Sequence, residues 1–406
     1  MTRVDNKQSE DKTKNFTLLF LALIVGLTTG LVGAIFRIIL TKIDDFRVVL
    51  FANIGSTGFS SWLLPIVLVI SAIIIPMYLV RKFAPEAKGS GVHEIEGALD
   101  GLRPVRWKRV LPVKFIASLF SLGSGLLLGR EGPIIQMGAN IGKMIKDVFN
   151  IDSSEFENNS LISVGAGAGL VSAFNAPFAG ILFVIEELHG HFKFNFYSVA
   201  ALMIGAGSST FVIRSLIGDR PIIEMTIFPI PKLMALWMFI LLGLILGLVG
   251  YFYNRLLVVS LNFFENTMKL PIIVTGIISG LLIVITGVFF PEMIGGGYST
   301  ITNVLDYSYT IYFLLVLFIV RLLLSIFSYS IGVPGGIFAP LLTLGVILGM
   351  WFGIIAQNLF PDIILHAGVF AVAGMAGIFA STVRAPITGL MLAIEMTSNF
   401  ELIYYL

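Results

Sequence analysis

The stretch Gly129-Arg130-Glu131-Gly132-Pro133 places an arginine and a glutamate between two long apolar runs. Ionisable groups at membrane depth are costly, so they mark candidate functional sites. Pro133 can open a helix, because the N–H that proline lacks would have no partner in a first helical turn. The free N–H groups at such a helix start attract anions. Glu131 therefore has two interpretations: it competes with an anion at this helix start, or it caps its own helix in a surface loop.

The sequence around this stretch is mostly apolar. Of its 406 residues, 57% are hydrophobic and 12% are charged, which is about half the charged share of an average soluble domain. A membrane-spanning helix needs about 20 apolar residues, and four stretches of roughly that length stand out: Phe16–Leu40, Trp62–Val80, Met234–Tyr253 and Ile272–Phe290. The sequence therefore predicts an all-α polytopic protein in a lipid bilayer.

Charge sets the expected orientation. A group of basic residues follows the second apolar stretch, and the positive-inside rule puts it on the cytoplasmic side: Arg81, Lys82, Lys88, Arg103, Arg106, Lys108 and Arg109. Residues 1–15 are polar, lack the pattern of a signal peptide and are predicted to form a cytoplasmic N-terminal tail. A net charge of +2 gives no reason to expect a nucleic-acid partner, and the absence of cysteine excludes disulfides and thiolate metal sites.

Several shorter segments flank the Glu131 stretch. An apolar helix is predicted over Pro112–Leu128, with Lys114 in its first turn, and a polar loop over Asp147–Asn159. A half-length helix over Leu161–Ala173 precedes a break at Asn175-Ala176-Pro177, after which an apolar run leads to Glu186 and Glu187. Interrupted helices of this kind are typical of transporters, where they surround a central site.

The second half of the sequence repeats the first. Phe83-x-Pro85-Glu86-x-x-Gly89-x-Gly91 recurs 206 residues later, and the segments around Lys114, Glu131 and Glu186 recur at offsets of 207 to 209. We therefore predict two structural repeats, at 16–220 and 221–406, that meet at a central site. Residues alone leave open whether the repeats are parallel or inverted.

The repeat pairs Gly129–Pro133 with Gly336–Pro340, and both segments lead into a helix with proline near its start. If the two helix starts converge, their N–H groups form a cradle for a small anion. Such a cradle binds an ion without a full positive charge that would trap it. Ser90, between two glycines, either adds a hydroxyl donor to this site or is an ordinary turn residue.

Three motifs in this order resemble the CLC family of chloride channels and chloride/proton exchangers: Gly89-Ser90-Gly91, Gly129-Arg130-Glu131-Gly132-Pro133 and Gly335-Gly336-Ile337-Phe338-Ala339-Pro340. The resemblance runs from about Phe16 to the last residue. It implies a CLC-type fold of two inverted repeats with tilted and broken helices, and a homodimer with one anion pathway in each subunit. It also implies a chloride/proton antiporter of a bacterial inner membrane, not an enzyme, with no cofactor or metal.

The resemblance also implies roles for individual residues. Ser90 and the N–H groups of Ile337 and Phe338 would bind the central chloride. Glu131 looks like the gating glutamate and proton acceptor, Glu187 like the inner proton-transfer glutamate, and Glu186 like its neighbour near the internal water entry. The loops along the anion pathway would contain Gly89, Gly91, Arg130, Gly132, Gly335 and Gly336.

Two departures from the family pattern are visible. His93 stands where the family commonly has proline, and we expect it to be a tolerated surface histidine. The sequence given stops at Leu406, within what should be the family's penultimate helix. The expectation is that the last helix, with the tyrosine that completes the central anion site, is missing.

Four other readings remain open. A passive chloride channel is the first alternative, and the acid at Glu187 argues against it because family channels usually lack one there. A fluoride-selective relative is disfavoured by the serine in Gly89-Ser90-Gly91. An intramembrane hydrolase would need a base inside a membrane segment, but the histidines all lie near segment ends: His93, His189, His191 and His366. A truncated paralogue with impaired coupling is the fourth.

Overall fold

The computed structural model describes residues 2–54, 60–150, 155–188, 192, 194–225, 228–229, 231–268, 270–306 and 309–405. Within these residues the protein is built from fifteen α-helices, joined by short 3₁₀ turns and one π-helical turn. The helices are α1 (Thr2–Ala52), α2 (Ser60–Phe83), α3 (Val92–Leu99), α4 (Trp107–Gly123), α5 (Glu131–Val148), α6 (Glu155–Phe174), α7 (Pro177–Glu186), α8 (Phe196–Ile217), α9 (Leu236–Asn262), α10 (Ile272–Phe289), α11 (Tyr298–Asp306), α12 (Ile311–Ser330), α13 (Phe338–Leu359), α14 (Gly368–Val383) and α15 (Pro386–Thr397).

The four predicted membrane spans lie in α1, α2, α9 and α10. Together with α8, α12 and α13, they make seven helices in the described part of the chain that are long and apolar enough to cross a membrane. The all-helical membrane fold is therefore confirmed. Helix α1 begins at Thr2, so residues 2–15 of the predicted tail belong to the first helix, and the cytoplasmic location of the tail stays a prediction.

The helix before the Glu131 stretch differs from the prediction. We expected Pro112–Leu128, whereas α4 runs from Trp107 to Gly123, which puts Lys114 well inside the helix. The helix ends early because Gly125 has a φ of +92°, which helical residues do not adopt. Its carbonyl instead accepts a 2.8 Å hydrogen bond from the N–H of Gly295, in the other repeat. The chain after Gly123 is thus free to form the loop that carries Glu131.

Two other predicted boundaries were wrong. The predicted half-length helix is longer, because α6 starts at Glu155 and reaches Phe174. The polar loop over 147–159 is correspondingly shorter, and residues 151–154 lie outside the described residues. Helix α7 matches the predicted run from the Pro177 break to Glu186.

The core consists of two helix pairs that cross at glycines. Helix α5 packs on α6, and α13 packs on α14. A Cβ atom added at Gly138 would overlap the carbonyl oxygen of Gly165, and one added at Gly345 would overlap that of Gly374. Small residues at membrane helix crossings let the backbones approach closely. The same crossing occurs in both repeats, as the repeated sequence blocks predict.

Candidate functional site

The three loops singled out in the sequence meet at the centre of the fold. Gly129 and Gly336 exchange two backbone hydrogen bonds, each 2.7 Å long, in an antiparallel bridge. The N–H of Gly335 donates to the carbonyl of Gly89 at 3.0 Å. Both contacts join the two repeats, and Gly129 and Gly336 stand at equivalent positions in them, so the centre of the site lies between the repeats.

The Glu131 carboxylate is fully buried in this centre. One oxygen accepts a hydrogen bond from the hydroxyl of Tyr298, and the other accepts one from the N–H of Ala339 at 3.3 Å. Ala339 lies in the first turn of α13. The carboxylate thus occupies the helix start of the second repeat, where a helix dipole and free N–H groups favour an anion. This corrects the expectation that Glu131 interacts with the start of its own helix, α5, which begins two residues before Pro133.

Gly129 makes room for this carboxylate. A Cβ atom added at Gly129 would overlap the Glu131 oxygen that faces α13, and would lie 3.1 Å from the nitrogen of Ala339. The observed position of the Glu131 carboxylate therefore depends on a glycine two residues before it.

Ser90 follows Gly89, whose carbonyl is bonded to Gly335, and is buried. Its hydroxyl oxygen accepts a 3.3 Å hydrogen bond from the N–H of Val92, and its backbone N–H lies 3.4 Å from the hydroxyl of Tyr329. Gly89 and Gly91 both have positive φ, at +60° and +83°, a conformation that glycine adopts without strain. These glycines turn the chain sharply enough to present Ser90 to the site.

Ile337 and Phe338 form the start of α13, as predicted, with Ile337 in the N-cap position. The Phe338 ring contacts Phe183 of α7 and Phe379 of α14 edge-on, at centroid distances of 6.2 and 4.9 Å. Phe338 thereby links the start of α13 to the helix that ends in Glu186 and Glu187.

Two buried cations stand at equivalent positions of the repeats. Lys114 in α4 donates to the carbonyls of Ala87 and Gly89, at 3.0 and 2.7 Å. Arg321 in α12 donates to the carbonyls of three residues in the equivalent loop: Glu292, Ile294 and Gly295. Both side chains are almost fully buried. Since carbonyls satisfy the donors without cancelling the charge, the two cations leave a positive potential around the loops.

Glu186 has a partner that the sequence did not indicate. Its carboxylate accepts hydrogen bonds from the N–H groups of Ile387 and Thr388, at 2.9 and 2.6 Å, and so caps the start of α15. Glu395, at the equivalent end of α15, accepts from Phe178 and Ala179 at the start of α7. The two helices therefore cap each other across the repeats.

Glu187 follows directly as the C-cap of α7 and is half-buried. His93 is largely exposed, as expected, and its Nδ1 lies 3.3 Å from a carboxylate oxygen of Glu96. This hydrogen bond raises the pKa of His93, to which the negative charges of Glu187 and Glu94 also contribute. The imidazole of His93 thus interacts electrostatically with the carboxylate of Glu187.

A cavity of about 700 Å³ reaches the residues next to and in contact with Glu131. Arginines and carboxylates both line it: Arg37, Arg47, Arg130, Arg220, Asp44, Asp45 and Glu292. Tyr298 also lines it, and the guanidinium of Arg130 lies 4.4 Å from the centre of the Tyr298 ring. Arginines that line a cavity next to Glu131 favour the approach of anions.

Sequence reasoning missed Tyr298, Tyr329 and Glu395. The sequence repeat contained a signal for two of these residues. Tyr298 stands 206 residues after Val92, just behind the second copy of the glycine loop, and Glu395 stands 209 residues after Glu186. The hydrolase reading gains no support from the described histidines. His366 stacks on Phe228 and accepts from the N–H of Gly368, and His93 is at the surface; His189 and His191 lie outside the described residues.

Comparisons with known proteins agree with this geometry. A family model described as voltage gated chloride channel matches residues 66–406. An H(+)/Cl(-) exchange transporter ClcA from Salmonella schwarzengrund (strain CVM19633) is 43% identical over 399 residues, covering 97% of this chain and 83% of the relative. The crystal structure of a slow cyanobacterial Cl-/H+ antiporter superposes with a TM-score of 0.90 at 36% identity, covering 96% of this chain and 91% of that one. A CLC-type fluoride/proton antiporter, at 21% identity, shares the fold with a TM-score of 0.78 over 96% of this chain and 92% of its own.

Proposed function

Because the chain belongs to the voltage-gated chloride channel family, we propose that it is a secondary active antiporter that exchanges chloride for protons. The relatives named above support exchange over passive conduction, since both the 43% identical relative and the 36% identical structure are named as chloride/proton exchangers. The proposal places the protein in a bacterial inner membrane, with a cytoplasmic N-terminus. It works as a homodimer with one pathway in each subunit, and residues 16–220 and 221–406 form the two repeats.

The observation that carries the proposal is the position of the Glu131 carboxylate. It accepts a hydrogen bond from the N–H of Ala339 at the start of α13, which is where an anion would bind. A charged Glu131 therefore blocks the anion pathway. A protonated Glu131 is no longer attracted to the helix start, so it moves away and the pathway opens. The same group thus couples proton uptake to chloride passage.

The chloride route continues inward from Glu131. Ser90 and the N–H groups of Ile337 and Phe338 bind the central chloride, and the loops that contain Arg130 and the site glycines line the way. Neutral hydroxyl and N–H donors suit this task, since conduction needs an anion to leave as readily as it enters. The potential of Lys114 and Arg321 offsets the cost of bringing a negative ion to membrane depth.

The proton route separates from the chloride route on the inner side. Glu187, at the end of α7, is the inner acid of this route. The neighbouring Glu186 accepts hydrogen bonds from the start of α15. Anions need donors, which a carboxylate repels, so the two routes share only Glu131. A passive channel would have no use for an acid at this position.

The test is chloride efflux from proteoliposomes with simultaneous recording of internal pH. Wild-type protein should move protons uphill when a chloride gradient is applied, and chloride flux should rise as external pH falls. Glu131→Gln should carry chloride without proton movement and without that pH dependence. Uphill proton transport by Glu131→Gln would contradict the role assigned to this residue, and chloride flux without any proton movement in the wild type would favour a channel.

A further inference from the structure

We propose that Tyr298 is a ligand of the outer anion position. Its hydroxyl holds the Glu131 carboxylate while the gate is closed, and donates to chloride when Glu131 has left. This inference rests on the proposed function, because it assigns a further residue to the same anion pathway.

The geometry shows a two-donor site. The Tyr298 hydroxyl donates to one carboxylate oxygen of Glu131, and the N–H of Ala339 donates to the other. The two donors come from different elements, the start of α11 and the start of α13. A carboxylate between an O–H and a helix N–H occupies the position of a bound anion. Chloride at this position would meet the same two donors.

The Tyr298 ring is fixed independently of Glu131. Arg130 lies over one face of the ring. The backbone before it is held by Arg321, which donates to the carbonyl of Gly295 at 3.0 Å. Gly297 has a φ of +102° and leaves no room for a side chain beside Thr343 and Arg321. Since these contacts do not involve Glu131, the hydroxyl remains at the outer position when the carboxylate moves away.

The charges around this pair favour an anion. Arg130 from the same loop and Arg37 from α1 both act on Tyr298 electrostatically, as does the negative charge of Glu131. Asp44 and Arg47, which form a 2.6 Å ion pair on α1, line the cavity further out with Glu292. Lys114 on α4 is bound to the carbonyl of Gly89, and Arg321 on α12 is bound to that of Gly295, three residues before Tyr298. A phenol hydroxyl adds a donor here without a further fixed charge, so a chloride can still leave.

The first experiment measures how chloride flux through the gate depends on external pH. Tyr298→Phe keeps the ring under Arg130 and removes the hydroxyl, so a charged Glu131 loses one of its two hydrogen bonds. The closed position becomes less favourable, and the external pH of half-maximal chloride flux should move upward by about one unit, which is the effect of a tenfold change in equilibrium. Tyr309→Phe is the matched control. Its hydroxyl donates to Glu292 at 2.8 Å, so it also loses a tyrosine–carboxylate hydrogen bond, but one away from Glu131.

The second experiment locates the bound anion. In Glu131→Ala the outer position is open, and anomalous diffraction from crystals grown with bromide should show an ion within hydrogen-bonding distance of the Tyr298 hydroxyl. In Glu131→Ala/Tyr298→Phe the occupancy of this ion should fall several-fold, while the bromide near Ser90 stays. Because Glu131→Ala alone already tests the contact, the proposal remains testable even if the double variant does not fold.

Three results would overturn the assignment. They are an unchanged pH profile in Tyr298→Phe, an equal shift in Tyr309→Phe, and a bromide ion in Glu131→Ala that lies out of reach of the Tyr298 hydroxyl. Failure of the proposed function would look different, because the wild-type protein would then move no protons against chloride, whereas the bromide positions report on Tyr298 without any transport measurement.

Discussion

Substituting Gly129 by alanine should displace the carboxylate of Glu131, the proposed gate, while residue 131 itself stays a glutamate. The new methyl group would occupy the place of the Glu131 oxygen that faces α13. The φ of Gly129 is not in the left-handed region, so alanine fits its backbone conformation. The carboxylate is the end of a flexible side chain and can move away, whereas the bridge between Gly129 and Gly336 keeps its two backbone hydrogen bonds.

The size of the effect follows from the contacts that are lost. A displaced carboxylate gives up the hydrogen bonds from Tyr298 and Ala339. Hydrogen bonds to a charged group contribute about 1.5 to 3 kcal/mol each, so the closed position loses roughly 3 kcal/mol or more. This corresponds to about a hundredfold shift toward the open gate.

The assay is chloride efflux and proton movement from the same proteoliposomes at neutral and acidic external pH. Gly129→Ala should transport chloride at neutral pH nearly as fast as the wild type does in acid, with weakened proton coupling. Gly207→Ala is the control, since a Cβ atom there meets nothing within 4 Å. If Gly129→Ala folds and keeps the wild-type pH dependence and coupling, Glu131 does not gate from the position described above.

Three further predictions concern Glu187, Glu395 and His93. Glu187→Gln should stop proton transport while chloride flux persists and still responds to external pH; combined loss of both fluxes in a folded protein would place Glu187 on the shared route. Glu395→Gln weakens the cap of α7 and should lower the free energy of unfolding by about 1 kcal/mol, measured by thermal or denaturant unfolding, with exposed Glu401→Gln as a neutral control. The raised pKa of His93 means that its hydrogen bond with Glu96 stabilises the fold at pH values below the unfolded-state pKa and that this contribution disappears as pH rises through the folded-state pKa. His93→Ala should therefore lower stability in acid and leave it unchanged in alkali, and an equal loss at both pH values would contradict this.

The sequence predicted the site as a set of loops but not as a set of contacts. Glycine and proline mark where helices start, so the loops around Ser90, Glu131 and Phe338 could be located from residue types alone. The contact between Glu131 and α13 could not, because a cap on another helix depends on how the repeats pack and not on local spacing. For the same reason, the early end of α4 at Gly123 was missed: a Gly125 carbonyl bonded to Gly295 is a tertiary contact.

The repeat itself separates structural from functional residues. Where both copies carry the same kind of side chain, the two side chains make equivalent contacts. Lys114 and Arg321 each hold the carbonyls of a glycine loop. Glu186 and Glu395 each cap the helix that ends in the other. The two cations stabilise a loop within their own repeat, and the two glutamates stabilise the contact between the repeats.

Where the copies differ, one residue of the pair lies at the proposed anion pathway. Tyr298 stands where the first repeat has Val92, and Phe338 stands where it has Glu131. Two symmetric backbones thus carry chemically different side chains, and the Glu131 carboxylate of one repeat accepts a hydrogen bond from the Tyr298 hydroxyl of the other. The same comparison distinguishes the two neighbouring acids at the end of α7. Glu186 has an acidic counterpart in the second repeat and caps a helix, whereas Glu187 is matched by an uncharged methionine, so it is Glu187 that we expect to carry the proton.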